Sequence, residues 1–250
     1  MSRTLLPILA MNLLSLFAKA GTNDVAAAQT DAFEAPNGKA VVFTCIKHAS
    51  VRIQYDGLEI QVDPVGAKCE PATDYARFPK ADLILVTHEH FDHFDRDAIA
   101  ALRKEGTAIY ANPAVQGMLG DGTALRNGER AQVREDVSIE AVPAYNTTPG
   151  REKFHPKGRD NGYVLALGGF RIYLAGDTED IPEMADAKDV DVAFLPVNQS
   201  YTMTPEQAAS AARTVKPKVL FPYHYSQTPI EKVADLLAGS GIDVRIRDYR

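Results

Sequence analysis

Thr87-His88-Glu89-His90-Phe91-Asp92-His93 follows directly on Leu83-Ile84-Leu85-Val86, a continuous apolar run of the kind that forms a strand buried on both faces. The carboxyl end of such a strand is where open α/β sheets place their sites. In an extended segment His88, His90 and Asp92 point to one side, and a bend after Asp92 turns His93 toward the same centre. Four donor groups within six residues exceed what packing asks for, and imidazoles crowded this closely repel one another once protonated. A divalent cation removes that conflict by holding them neutral, so the run is read as a metal-ligand loop rather than a polar surface turn.

Strand patterns surround this loop. Upstream lie 41–46, then 51–55 and 58–62, which alternate apolar and polar residues around the hairpin turn Asp56-Gly57. Downstream, a helix is capped by Asp95, buries Ile99 and Leu102 on one face and stops at Lys104-Glu105-Gly106. Strands are expected at 108–110, 132–134 and 137–142, with a hairpin of 163–167 and 170–174 across Gly168-Gly169 and a further strand at 192–196. Thr204-Pro205-Glu206-Gln207 opens a helix with proline at its first position and glutamine three after the threonine cap. A buried strand at 219–222 and a closing helix at 230–238 complete the chain. Strand-rich blocks at 41–110 and 132–224, each with helices after its later strands, suit an α/β fold of two sheets packed face to face with helices outside.

The chain has 250 residues, 45% hydrophobic and 24% charged, enough to bury a full core. Its net charge is −6 with no basic run, which removes the electrostatic footprint of a nucleic-acid partner. Residues 1–20 read as a signal peptide: Arg3, an apolar stretch from Leu5 to Ala18 broken by Pro7, Asn12 and Ser15, and the small-residue end Ala18-Lys19-Ala20. Cleavage after Ala26-Ala27-Ala28 is an equal alternative. The stretch is too short for stable membrane insertion, and the first cysteine, Cys45, lies too far along for a lipid anchor after the signal. Residues 21–38 read as a flexible lead-in and 39–250 as the functional domain, exported to the periplasm or medium. Export permits a disulfide between Cys45 and Cys69, although a free thiol in a buried strand is the competing reading of Cys45.

The H-x-H-x-D-H run after a buried strand resembles the signature of the metallo-β-lactamase superfamily of metal-dependent hydrolases, and further elements arrive in that family's order. Ile60-Gln61-Val62-Asp63-Pro64 resembles the strand whose last Asp supports the ligand loop. Tyr173-Leu174-Ala175-Gly176-Asp177-Thr178 resembles the strand ending in a metal-bridging Asp, and Phe221-Pro222-Tyr223-His224-Tyr225 the strand ending in the last histidine ligand. The likeness spans roughly 40 to 225. Lys47-His48-Ala49-Ser50 and Gly176-Asp177-Thr178 look most like the branch containing the ascorbate-phosphate lactonases.

The resemblance implies an αββα sandwich of two mixed β-sheets with helices on the outer faces. It also implies two divalent ions, zinc first and manganese or iron as alternatives. One ion would take His88, His90 and a third histidine, the other Asp92, His93 and His224, with Asp177 bridging. The family's usual slot for that third histidine reads Val142-Pro143-Ala144-Tyr145-Asn146, so His155 in Phe154-His155-Pro156-Lys157-Gly158 is assigned the role and Asn146 is the reserve. All six histidines then fall in motif positions. The implied reaction is attack of a metal-bridged hydroxide, oriented by the catalytic Asp92 and Asp177, on a small ester, lactone or phosphoester. Asp177 stands where some true β-lactamases use a thiolate, so antibiotic hydrolysis is not expected. His48 is either substrate-facing or a support to the ligands. Lys157 and Arg159 are candidates to receive an anionic group, and Asn198, Tyr201 and Met203 to wall the pocket. The alternatives are a phosphodiesterase of lipid or nucleotide substrates and a metal-binding protein without turnover. The expected partner is a small molecule, with the oligomeric state open.

Overall fold

The computed structural model describes residues 29–249, so the expected signal at 1–20 lies outside it. Among the described residues, fourteen strands make two seven-stranded sheets. The first follows chain order through β1 (Thr30–Glu34), β2 (Ala40–Lys47), β3 (Ser50–Tyr55), β4 (Leu58–Val62), β5 (Leu83–Val86), β6 (Ala108–Ala111) and β7 (Thr123–Ala124). The second runs through β8 (Arg130–Arg134), β9 (Val137–Ala144), β10 (Asp160–Leu167), β11 (Phe170–Leu174), β12 (Val192–Pro196), β13 (Val219–Tyr223) and β14 (Asp243–Val244). In each sheet the early strands are antiparallel hairpins and the later ones parallel, so both are mixed. Two mixed sheets are what the resemblance in the sequence implies.

The alternation along β5 explains the layering. Leu83 and Leu85 belong to the core between the sheets, while Ile84 and Val86 belong to a separate cluster with Ile99 and Leu102 of α1 (Arg96–Leu102) and Val115 of α2 (Pro113–Leu119). The sheets meet through Phe43 of β2, whose ring lies 5.5 Å from Phe194 of β12 and 6.2 Å from Phe221 of β13. Behind the second sheet pack α3 (Pro205–Val215) and α4 (Glu231–Leu236). Asp95 caps α1 by accepting from the Asp97 amide, and Thr204 and Gln207 form the reciprocal capping box that opens α3.

Several expectations need correcting. The described part of the lead-in is not loose: β1 pairs along β2, and its Asp31 is held by Arg245 at 2.9 Å and by Arg247 at 2.6 and 2.8 Å. Its stability comes from pairing and ion contacts, which leave no apolar period to read. The helix α2 was missed because its seven residues bury one large side chain, Val115, although Asn112-Pro113 is a proper cap and first position. No disulfide forms: both cysteines are free, and Cys45 Sγ donates to the Asp248 carbonyl at 3.1 Å. Burial pushes the Cys45 thiol up to about 12. No helix among the described residues is long and apolar enough to cross a membrane.

Candidate metal centre

Every histidine of the cluster sits just past the end of a strand or in a loop pinned to one. Asp63, immediately after β4, organises the β5 loop: one oxygen accepts from the Thr87 amide at 2.8 Å, the other from Thr87 Oγ1 at 2.7 Å, and His93 Nδ1 lies 2.8 Å from that second oxygen. His88 Nδ1 lies 3.0 Å from Thr87 Oγ1, and His155 Nδ1 lies 3.0 Å from Asp160 Oδ2. With its Nδ1 occupied in this way, each ring directs Nε2 inward. Asp177 follows β11 across Gly176, which has φ +64° and passes so close to the Asn161 carbonyl that a Cβ would stand 2.6 Å from it. His224 follows β13 in a left-handed conformation, its amide donating to the His48 carbonyl, while the His48 amide donates to the Tyr249 carbonyl.

These segments bring the donors into two groups, His88, His90, His155 and Asp177 in one and His48, Asp92, His93 and His224 in the other, each with its ligand-type atoms within 4.8 Å of one another. Asp177 joins them. Its Oδ2 is 3.4 Å from His155 Nε2 and 3.3 Å from His224 Nε2, and its Oδ1 is 3.4 Å from His93 Nε2. His88 Nε2, His93 Nε2, both ring nitrogens of His224 and Asp177 Oδ1 are buried without a hydrogen-bond partner among the described residues. Buried polar atoms are ordinarily paired, and so many convergent orphans of nitrogen and carboxylate type fit a divalent metal site. The Nδ1 contacts to Thr87, Asp63 and Asp160 are the outer supports that orient imidazole ligands.

The electrostatics agree. Burial, then the neighbouring His93, pushes His88 well below the usual histidine range. Burial opposes charge on Asp177 and on His93, yet the imidazoles of His224 and His93 hold Asp177 well below the carboxylate range. Asp177 and Asp63 in turn hold His93 well above its own. The buried carboxylate of Asp177 is thus stabilised by the imidazoles that surround it.

The other expected site residues fall differently. His48 Nε2 lies 3.0 Å from Asp92 Oδ2, and its ring packs 3.8 Å from that of His224. Arg159 Nη2 reaches within 3.3 Å of His90 Nε2. Lys157 is engaged elsewhere: it pairs with Glu183 at 2.7 Å and donates to Tyr145 Oη. Asn146 tethers the loop instead of joining a donor group, donating through its side chain to the Tyr201 carbonyl at 2.7 Å and through its amide to the His155 carbonyl at 2.8 Å. Tyr201 is exposed and its ring edge meets Phe154, Asn198 is a turn residue whose amide donates to Thr202 Oγ1, and Met203 is buried core rather than pocket wall. Two supports were not foreseen. Asp160 holds His155, and Glu179 accepts from the amides of Thr147 and Thr148, fixing the start of the loop that carries His155.

Residues 43–224 match the family model of the β-lactamase superfamily domain. A UPF0173 metal-dependent hydrolase from Thermococcus kodakarensis is 33% identical over 190 residues, 73% of this chain and 83% of the relative. The chain belongs to the UPF0173 metal-dependent hydrolases of the metallo-β-lactamase superfamily. This UPF0173 hydrolase is also similar to the crystal structure of a Parabacteroides distasonis protein described as a metal-dependent hydrolase, with 56% identity, a TM-score of 0.86, and coverage of 89% of this chain and 100% of that one. A metallo hydrolase from Ignicoccus hospitalis is 26% identical with a TM-score of 0.70, covering 83% of this chain and 95% of its own.

Proposed function

We propose that this UPF0173 hydrolase holds two divalent ions and cleaves a small ester, lactone or phosphoester outside the cytoplasm. The observation that carries this reading is the set of buried, unpartnered atoms on His88, His93, His224 and Asp177. His88, His90 and His155 would hold one ion and Asp92, His93 and His224 the other, with Asp177 between them. The all-nitrogen-and-oxygen donor set suits zinc, then manganese or iron. When bound, such a pair supplies a nucleophile from water near neutral pH and positive charge for a developing oxyanion.

The protein's own groups do the remainder. Among the candidate donors only His48, His90 and Asp92 are partly exposed, so substrate approaches past these three. Asp92 is partly exposed on the approach, and its carboxylate, which His48 Nε2 holds from 3.0 Å, would receive a proton from the attacking water once the ions are bound. His93, fixed by Asp63, and His155, fixed by Asp160, keep the two donor groups in register about Asp177. The likeness of Lys47-His48-Ala49-Ser50 and Gly176-Asp177-Thr178 to the ascorbate-phosphate lactonase branch supports a lactone among the substrates, and residues 1–20 support export, which directs attention to compounds of the envelope or medium.

A panel of generic ester, lactone, phosphodiester and β-lactam substrates tests the reading. Turnover of an ester, lactone or phosphodiester that EDTA abolishes and added zinc, manganese or iron restores is the expected result. Turnover confined to β-lactams, or untouched by chelation, contradicts it.

A further inference from the structure

Arg159 is tied to Asp160 and Phe154, and these contacts leave part of its guanidinium unused. Its Nε donates to Asp160 Oδ1 at 2.6 Å, and its Nη2 to Asp160 Oδ2 at 2.9 Å and to the Phe154 carbonyl at 2.7 Å. Asp160 is fully buried and shares its Oδ2 with His155 Nδ1, so the guanidinium is locked in orientation beside a candidate ligand. Nη2 also lies 3.3 Å from His90 Nε2. That makes three acceptors for two protons, and His90 is the one that must be given up. A neutral imidazole has a single lone pair and cannot accept from Arg159 while serving a metal ion. Releasing His90 leaves Arg159 where it is, held by Asp160 and Phe154.

Nη1 is the remaining nitrogen and both its protons lack a partner among the described residues; it shares its carbon with the Nη2 that lies 3.3 Å from His90 Nε2, and the side chain is 31% exposed. Glu89, the other nearby carboxylate, is engaged by Asn112 Nδ2 at 3.2 Å and lies 3.3 Å from Arg159 Nε. Asp160 and Glu89 balance much of the guanidinium charge, so Arg159 offers a directed pair of N–H donors more than a long-range field. Such donors recognise a carboxylate or phosphate oxygen with charge-assisted bonds. Lys157, paired with Glu183, does not compete for this task.

We propose that Arg159 Nη1 is the specificity element of the site, selecting substrates that carry a carboxylate or phosphate group close to the scissile bond. This rests on the metal-hydrolase reading, and two probes separate them. Acetohydroxamate binds a metal centre alone, while the monohydroxamate of succinic acid adds a carboxylate on a short arm. With zinc in saturating amount, the expected result by titration calorimetry is that the carboxylate arm tightens binding by about ten-fold in the wild type, the scale of one charge-assisted hydrogen bond. In R159Q the ratio of the two dissociation constants falls toward one. Equal affinity for both probes in the wild type, or an advantage that persists in R159Q, overturns the proposal while leaving the hydrolase reading intact. Failure of acetohydroxamate to bind the zinc-loaded wild type overturns the hydrolase reading itself. The wild-type comparison stands independently of how R159Q folds.

Discussion

His155 enters the donor cluster from a loop, nine residues beyond the position where the family pattern places its histidine. Asn146 occupies that earlier position and ties the loop to Tyr201 and to the His155 backbone, while Asp160 and Glu179 hold the loop at its two ends. His155 was legible because no other histidine remained to complete a set. Asp160 was not, because an aspartate in a polar segment ordinarily belongs to solvent and only the folded loop turns it inward. The contact of His48 with Asp92 was equally hidden, since it depends on left-handed backbone at both His48 and His224. Loss of such an outer support costs roughly ten- to one-hundred-fold in metal affinity. Asp160→Asn is expected to weaken one of two zinc-binding steps by about that factor in a competition titration against a chromophoric chelator, leaving the other step within two-fold. Equal weakening of both steps, or of neither, contradicts the assignment of His155 to one ion. His224→Ala is expected to empty the other site, and Asp177→Ala to weaken both, with metal content after desalting as the readout.

At the scale of elements, the sequence is most informative where burial and backbone chemistry agree. The apolar run of β5, the Asp56-Gly57 hairpin and the Thr204–Gln207 capping box each carry a local signal that tertiary structure reinforces. The strand β1 carries none, because its buried member is Asp31, neutralised by arginines more than two hundred positions away. Contacts between segments so far apart in sequence leave no trace in local periodicity. The α3 cap permits a quantitative check: Thr204→Ala removes an acceptor from the Gln207 amide, and a loss of about 1 kcal/mol is expected in urea unfolding with an unchanged denaturant slope. A loss below a few tenths would mean the box contributes nothing beyond its geometry.

At the scale of the molecule, the described residues form two sheets whose strand ends converge on one cluster of imidazoles and carboxylates, and the thiols report on that packing. Cys45 is buried with its thiol pushed up to about 12, whereas Cys69 is half-buried. Alkylation of the native, unreduced protein at pH 8 is expected to modify Cys69 alone, with Cys45 following only on unfolding, as read by peptide mass spectrometry. Protection of both residues until a reductant is added would restore the disulfide. The central claim concerns metal, because the unpartnered atoms of His88, His93, His224 and Asp177 form the donor set of two candidate metal sites. Elemental analysis of freshly purified, unchelated protein tests it most directly. Close to two transition-metal ions per chain are expected, and protein that contains none and takes up none when offered zinc, manganese or iron contradicts the claim.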